Sequence, residues 1–303
     1  MVTKIDKFIF QGFKSSNREL VIKAIVIFAL INILTVLPDL FHIYSEQGII
    51  KSEVNQRYNF WYQPVLAWFF KSFSYIGLSA NTTLIVFVFA YISSLIAMLL
   101  NVNKAVFAFT AWFIHFMLIN SAYLFSYGAD YFMSFTLLLN LAICTSCLFN
   151  KNTQNILYSF TIRFLQIHLC LVYFFAGLGK ALGTDWLDGN AIWLVINTYS
   201  SSTVIENSLP LIEYPILFKI LALGTVIIEL FYVALMFTKY TRKITLSLVI
   251  LMHLGIAIFM DFYTFGAIMI LLNLIAFGQH INLKSIMKIR NKSNLNSLET
   301  QTI

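Results

Sequence analysis

Apolar runs separated by short polar breaks dominate this chain. Eight of them fall at about 20–37, 83–100, 105–124, 131–149, 160–182, 216–237, 244–262 and 265–277. Runs near twenty residues match the thickness of a bilayer core, so each predicts a membrane helix. The eighth is short, which predicts a tilted helix or one partly buried in the bundle. Pro38 predicts the end of the first span. The long connection after it holds an aromatic cluster, Tyr58-Asn59-Phe60-Trp61-Tyr62, and then the run 64–73. That run is too short to cross and is interrupted by Lys71, so it predicts an interfacial or re-entrant helix.

Composition agrees with the pattern. Hydrophobic residues make up 59% of 303 positions and charged residues 11%, against about 25% charge in a soluble domain. The expected fold is an all-α polytopic membrane bundle of about eight transmembrane helices with interfacial helices. Residues 1–19 read as an amphipathic lead-in, 20–277 as the transmembrane domain and 278–303 as a basic tail. The first apolar run ends in Leu37-Pro38-Asp39, with no small-residue cleavage site, so it is not a removable signal.

Charge adds orientation. The head, the turns near 101–105, 150–158 and 238–243, and the tail are basic; the loops 125–130 and 183–215 have no Lys or Arg. Lysine and arginine favour cytoplasmic loops, so both termini are expected on the cytoplasmic side of the inner (plasma) membrane. The exceptions are Lys51, Arg57 and Lys71 in the first outer connection, and Lys219 near an outer helix end. The cations lie scattered at helix ends, which excludes an extended nucleic-acid surface. Cys144, Cys147 and Cys170 lie within apolar runs and describe no secreted disulfide framework. Cys144-x-x-Cys147 lacks two further ligands, so no metal site is expected.

Candidate chemistry centres on the fifth run. Gln166, Cys170, Tyr173, Gly177 and Lys180 recur at intervals of four and three, a single stripe on a helix. A polar, glycine-bearing stripe should face protein or a cavity, because lipid rejects it. A lysine held away from water gives up its proton more readily, which would make Lys180 a base. The alternatives are that it snorkels to the interface or pairs with Asp185. Glu229 lies mid-span in the sixth run, with Thr225 and Tyr232 on its face; at that depth a carboxylate is neutral or paired. His253 in the seventh run suits proton transfer or an interhelical hydrogen bond. Asp130 opens the fourth helix, either as its cap or as a charge facing Lys180. His115 and His168 are weaker candidates.

The run Val172-Tyr173-Phe174-Phe175-Ala176-Gly177-Leu178-Gly179-Lys180, followed by Asp185-Trp186-Leu187-Asp188-Gly189, resembles the vitamin K-dependent gamma-carboxylase superfamily. Its bacterial members are the horizontally transferred transmembrane (HTTM) domain proteins. Further points of similarity are Tyr127-Gly128-Ala129-Asp130, Glu229 in Gly224-Thr225-Val226-Ile227-Ile228-Glu229, and His253 followed by Phe265-Gly266. The stretch Asn120-Ser121-Ala122-Tyr123-Leu124 stands nearest the family's Ser-Tyr-Leu motif and lacks the histidine beside it.

The resemblance implies a carboxylase-like enzyme of the carbon–carbon lyase type. Lys180 would be its catalytic base acting on a reduced quinone of the vitamin K type, with Glu229, His253, Tyr173, Asp130 and Asp185 around the cavity. It also implies modification or maturation of a secreted peptide, because one short bacterial type is needed to mature a peptide toxin. The alternative is a non-enzymatic membrane factor that binds or escorts a partner peptide through the 183–215 loop and the 58–70 segment. A small-solute transporter is disfavoured, since no pair of broken helices occupies matching positions in two halves.

Overall fold

A computed structural model describes residues 4–13, 17–46, 48–199 and 214–278. Among them every regular element is helical. Six helices are long and apolar enough to cross a bilayer, and they define a helical bundle of the membrane type.

A short helix α1 (Lys4–Phe10) precedes α2 (Arg18–Val36). Pro38 was expected to stop the first span. Instead it occupies the first turn of a 3₁₀ segment, Leu37–Asp39, where its missing N–H is not needed. The helical path runs on through α3 (Leu40–Tyr44), giving an apolar stretch of 27 residues. Helices α4 (Ser52–Gln56) and α5 (Leu66–Ser74) follow. At nine residues, α5 is about 13 Å long, well short of a crossing. Phe69 and Phe73 hold it against Phe87 of α6 (Ala80–Leu99), with ring centroids 4.8 and 6.1 Å apart.

α7 (Lys104–Ser121), α8 (Gly128–Ser146) and α9 (Lys151–Ala181) then pass up and down the bundle, each beside its neighbour in sequence. The polar connection before α5 is fastened to the end of α7. Ser121 accepts from the Leu66 amide at 2.7 Å, Asn59 donates to the Asn120 carbonyl at 2.6 Å, and Tyr58 stacks on Tyr123.

α9 has 31 residues, nine more at its start than the apolar run suggested. Asn150 caps it by accepting from the Thr153 amide. Its polar first turns extend past the apolar region and receive the lead-in. Ser159 exchanges hydrogen bonds with both the amide and the carbonyl of Phe13, and the Arg163 guanidinium lies over the Phe8 and Phe13 rings at 4.1 and 4.7 Å. Two of the three ion pairs among the described residues share Glu19 at this same end, with Lys104 and Arg18 as partners.

After α9 come α10 (Thr184–Asp188) and α11 (Ala191–Tyr199). The sixth apolar run is divided into α12 (Pro215–Leu230) and α13 (Tyr232–Phe237), with the interruption at Phe231. α14 (Arg242–Phe259) and α15 (Tyr263–Phe277) complete the bundle. Residues 200–213 of the 183–215 loop, and the tail from 279 onward, lie outside the described residues.

Candidate functional site

The site forms where α9 ends and α12 continues past it. Glu229 lies fourteen residues into α12, about 21 Å from its start, yet it meets Lys180 in the last turn of α9. The first turns of α12 therefore stand beyond α9, with α10 and α11 packed on them. Gly189 ends α10 in a left-handed conformation (φ 91°), and a β-carbon there would lie 2.6 Å from the Lys219 Cα. Both demands leave only glycine. Trp193 of α11 meets Phe218 edge-on.

Gly177 sets the α9–α12 crossing. A β-carbon at this position would come within 2.7 Å of the Leu230 amide nitrogen and 2.9 Å of the Glu229 Cβ. The break at Phe231 follows directly. This close approach lets the Lys180 Nζ reach the Glu229 Oε2 at 2.7 Å. The Lys180 side chain is 23% exposed and that of Glu229 7%. The Trp186 ring covers the ammonium at 5.2 Å. Each group answers the cost of the other: an unpaired charge in this setting would be expelled or neutralised, whereas a hydrogen-bonded pair can stay.

Beneath this pair runs a second, fully buried set. Tyr173 stacks on Tyr232 with centroids 4.2 Å apart. The Tyr173 hydroxyl is 2.7 Å from the His253 Nε2 and accepts from the Asn273 Nδ2 at 2.8 Å. The Tyr232 hydroxyl donates to the Asn273 Oδ1 at 2.6 Å, and the second amide hydrogen of Asn273 goes to the Met269 carbonyl at 2.8 Å. Gly266 admits this geometry, since a β-carbon there would strike the His253 carbonyl.

All five stripe positions of α9 turn into the protein. Besides Tyr173, Gly177 and Lys180, Gln166 donates to the Ala276 carbonyl at 2.6 Å and accepts from Arg163, and Cys170 is buried. Lys180, Glu229, Tyr173 and His253 are thus brought into one region. Asp185 and Asp130 take other places. Asp185 is exposed on α10, and Glu229, not Asp185, is the partner of Lys180. Asp130 accepts from the Tyr127 amide at 2.9 Å as half of a capping box.

His168 lies on the other side of α9, against Phe135 at 4.1 Å. His115 stacks on Tyr91, and its Nε2 is buried with no hydrogen-bond partner among the described residues. Cys144 and Cys147 turn to acceptors of their own helix, the Asn140 side chain and the Ile143 carbonyl, and all three cysteines are free. Among the described residues no three His, Cys, Asp or Glu side chains converge on a metal position. Sequence reasoning missed Asn273. The available signal was a lone amide within Leu271-Leu272-Asn273-Leu274-Ile275, where burial demands partners.

These features define the class: an all-helical membrane-type bundle with a lysine–glutamate pair at an interhelical crossing. Comparison of the chain with family models, with curated proteins and with solved structures found no match.

Proposed function

We propose that this chain is an eight-span plasma-membrane enzyme related to the gamma-carboxylase superfamily, with Lys180 as its base. The interrupted 215–237 segment and the short α15 supply the seventh and eighth crossings beside the six longer helices. An even number of crossings sets both termini on the cytoplasmic side, where Lys104 and the α13–α14 turn lie. Lys180 then works at the depth of Glu229, below the outer end of α12, and a secreted peptide would reach it from the outer side.

One observation carries the reading: the Lys180–Glu229 contact of 2.7 Å at a crossing that only glycine permits. Such a pair holds one proton between two groups. In its neutral form the amine is free to take a proton from a bound substrate, while Glu229 keeps the acid proton close by. The 23% exposure of Lys180 leaves it reachable, and Trp186 screens it from bulk water.

The residues fit a reduced quinone. Lys180 would meet one of its oxygens, and the Trp186 ring beside Lys180 would supply an aromatic surface for a flat ring. When bound, the quinone supplies an acidic hydroxyl and redox chemistry. The protein's own part is to orient Lys180 through Glu229 and to limit access of water.

A second reading rests on the exposed rings of Phe60, Trp61 and Tyr62, carried on a connection anchored to α7. That surface suits a factor that holds a peptide without chemistry.

Replacing Lys180 by Arg separates the two readings, because arginine keeps the ion pair but does not act as a base. Mass spectra of small secreted peptides from cells with the wild-type chain should show a modified or processed species. The Lys180→Arg protein should reach the membrane yet leave that species unmade. Full product with Lys180→Arg, lost only on shortening the 58–70 segment, would replace the enzyme with the escort.

A further inference from the structure

The lead-in docks at an end of the bundle rich in cations and poor in anions. Arg163 of α9 lies over the Phe8 ring at 4.1 Å, and that ring meets Phe237, the last residue of α13, at 5.9 Å. Arg242 donates to the Met236 and Phe237 carbonyls at 2.8 and 3.4 Å. The two guanidiniums thus stand at the two ends of one ring contact, close enough for their charges to act on each other. Lys4 and Lys7 on α1, and Lys239 and Lys243 on either side of Arg242 in the chain, are exposed. No ion pair among the described residues engages any of these six cations. Asp6, the one carboxylate in these segments, is part-buried and lies across α1 from Lys4.

Depth is the second observation. α1 and the residues after it are held by Ser159, Phe160 and Arg163, where the fifth apolar run begins, and by Phe237, where the sixth ends. The polar turns of α9 before Ser159 reach further out. The cations therefore gather at the boundary of the apolar layer. Apolar side chains lie uncovered among them: Ile5 is 68% exposed and Tyr240 86%. Lys4, Ile5, Lys7 and Phe8 share one arc of α1.

The headgroup region of a bilayer suits such a mixture, because apolar side chains there meet acyl carbon while cations meet phosphate. Two like-charged guanidiniums beside an apolar layer are costly until an anion joins them, and their forked donors match phosphate oxygens. A soluble anion would answer the charge and leave the apolar side chains uncovered. A phospholipid answers both.

We infer that α1 and the 238–243 turn form a seat for an anionic phospholipid, whose phosphate meets Arg163 and Arg242 and whose acyl chains cover the exposed apolar side chains. The inference is independent of the chemistry of Lys180.

Native mass spectrometry of the full chain in detergent, freed of co-purified lipid, tests it. Phosphatidylglycerol and phosphatidylcholine with the same acyl chains are titrated in turn. The wild type should bind phosphatidylglycerol about tenfold more tightly, the scale of one or two charge-assisted headgroup contacts. Changing Lys4, Lys7, Lys239 and Lys243 together to Gln removes only exposed charges, and most of that preference should go. Changing Lys51, Arg57, Lys71 and Lys219 to Gln removes as many exposed charges at the other end of the bundle, and the preference should stay. Arg242→Gln should abolish it; if that variant fails to fold, the two sets of four still decide. Equal affinity of the wild type for both lipids overturns the inference, as does a preference that survives the first set or falls alike with both. Glycerol phosphate bound as tightly as the lipid also overturns it, since the seat would then serve soluble anions.

Discussion

Glu229 and Lys180 depend on each other more than either contributes alone. Replacing Glu229 by Gln leaves a largely covered ammonium without its counter-ion. We expect a loss of about 1–3 kcal/mol, less than for a fully enclosed pair because part of Lys180 meets solvent. Thermal unfolding in detergent measures it. Replacing both, as Lys180→Met with Glu229→Leu, should restore most of that stability without restoring any modified peptide. Asn273 stands differently, because three hydrogen bonds converge on one amide. Its replacement by Leu strands the Tyr232 hydroxyl and takes one of two partners from Tyr173, and should cost about 2–4 kcal/mol, summing two or more lost buried bonds. The spacing of Gln166, Tyr173, Gly177 and Lys180 announced an inward face, because a helix repeats every 3.6 residues. The partner of Lys180 was beyond that reasoning. Asp185 is five residues away and Glu229 is forty-nine, and only the crossing at Gly177 decides between them.

Among the elements, the α9–α12 crossing is where small size matters. Gly177→Ala places a methyl against backbone that cannot rotate away, so the helices must separate. We expect about 1–3 kcal/mol of destabilisation, together with a weakened Lys180–Glu229 contact. Gly179, two residues on, has open space where its methyl would go. Gly179→Ala should be neutral or stabilising by up to ~1 kcal/mol, since alanine is the better helix former. Equal effects in the two melting curves would remove the close-crossing argument. Apolar runs located the helices but misjudged two boundaries, each for a physical reason. Asn152, Thr153, Gln154 and Asn155 are polar, yet a capped helix extending past the membrane accommodates them. Pro38 sits at a turn start, where its ring does no harm. The break at Phe231 had no proline or glycine beside it to announce it.

At the scale of the whole molecule, the eight-span reading makes a topological prediction. Single cysteines at 102 and 240, on a background lacking the native three, should react with a membrane-impermeant thiol reagent from one side of sealed vesicles. Cysteines at 126 and 190 should react from the other. Labelling of all four from one side would break the reading. Hydrophobic patterning made the overall architecture legible, because a bilayer imposes length and polarity on every crossing. The docking of α1 was not legible. Its partners on α9 lie 146 positions away from Phe13 in the case of Ser159, and no local pattern signals a contact of that range.

That distance has a consequence during synthesis. The lead-in leaves the ribosome first, whereas Ser159 and Arg163 emerge only after four further long helices have been made. Until then Phe8 and Phe13 have no place in the fold, and the nascent head must wait outside the bundle. A chain arrested before α9 should keep its head open to added protease, and one arrested after α9 should not.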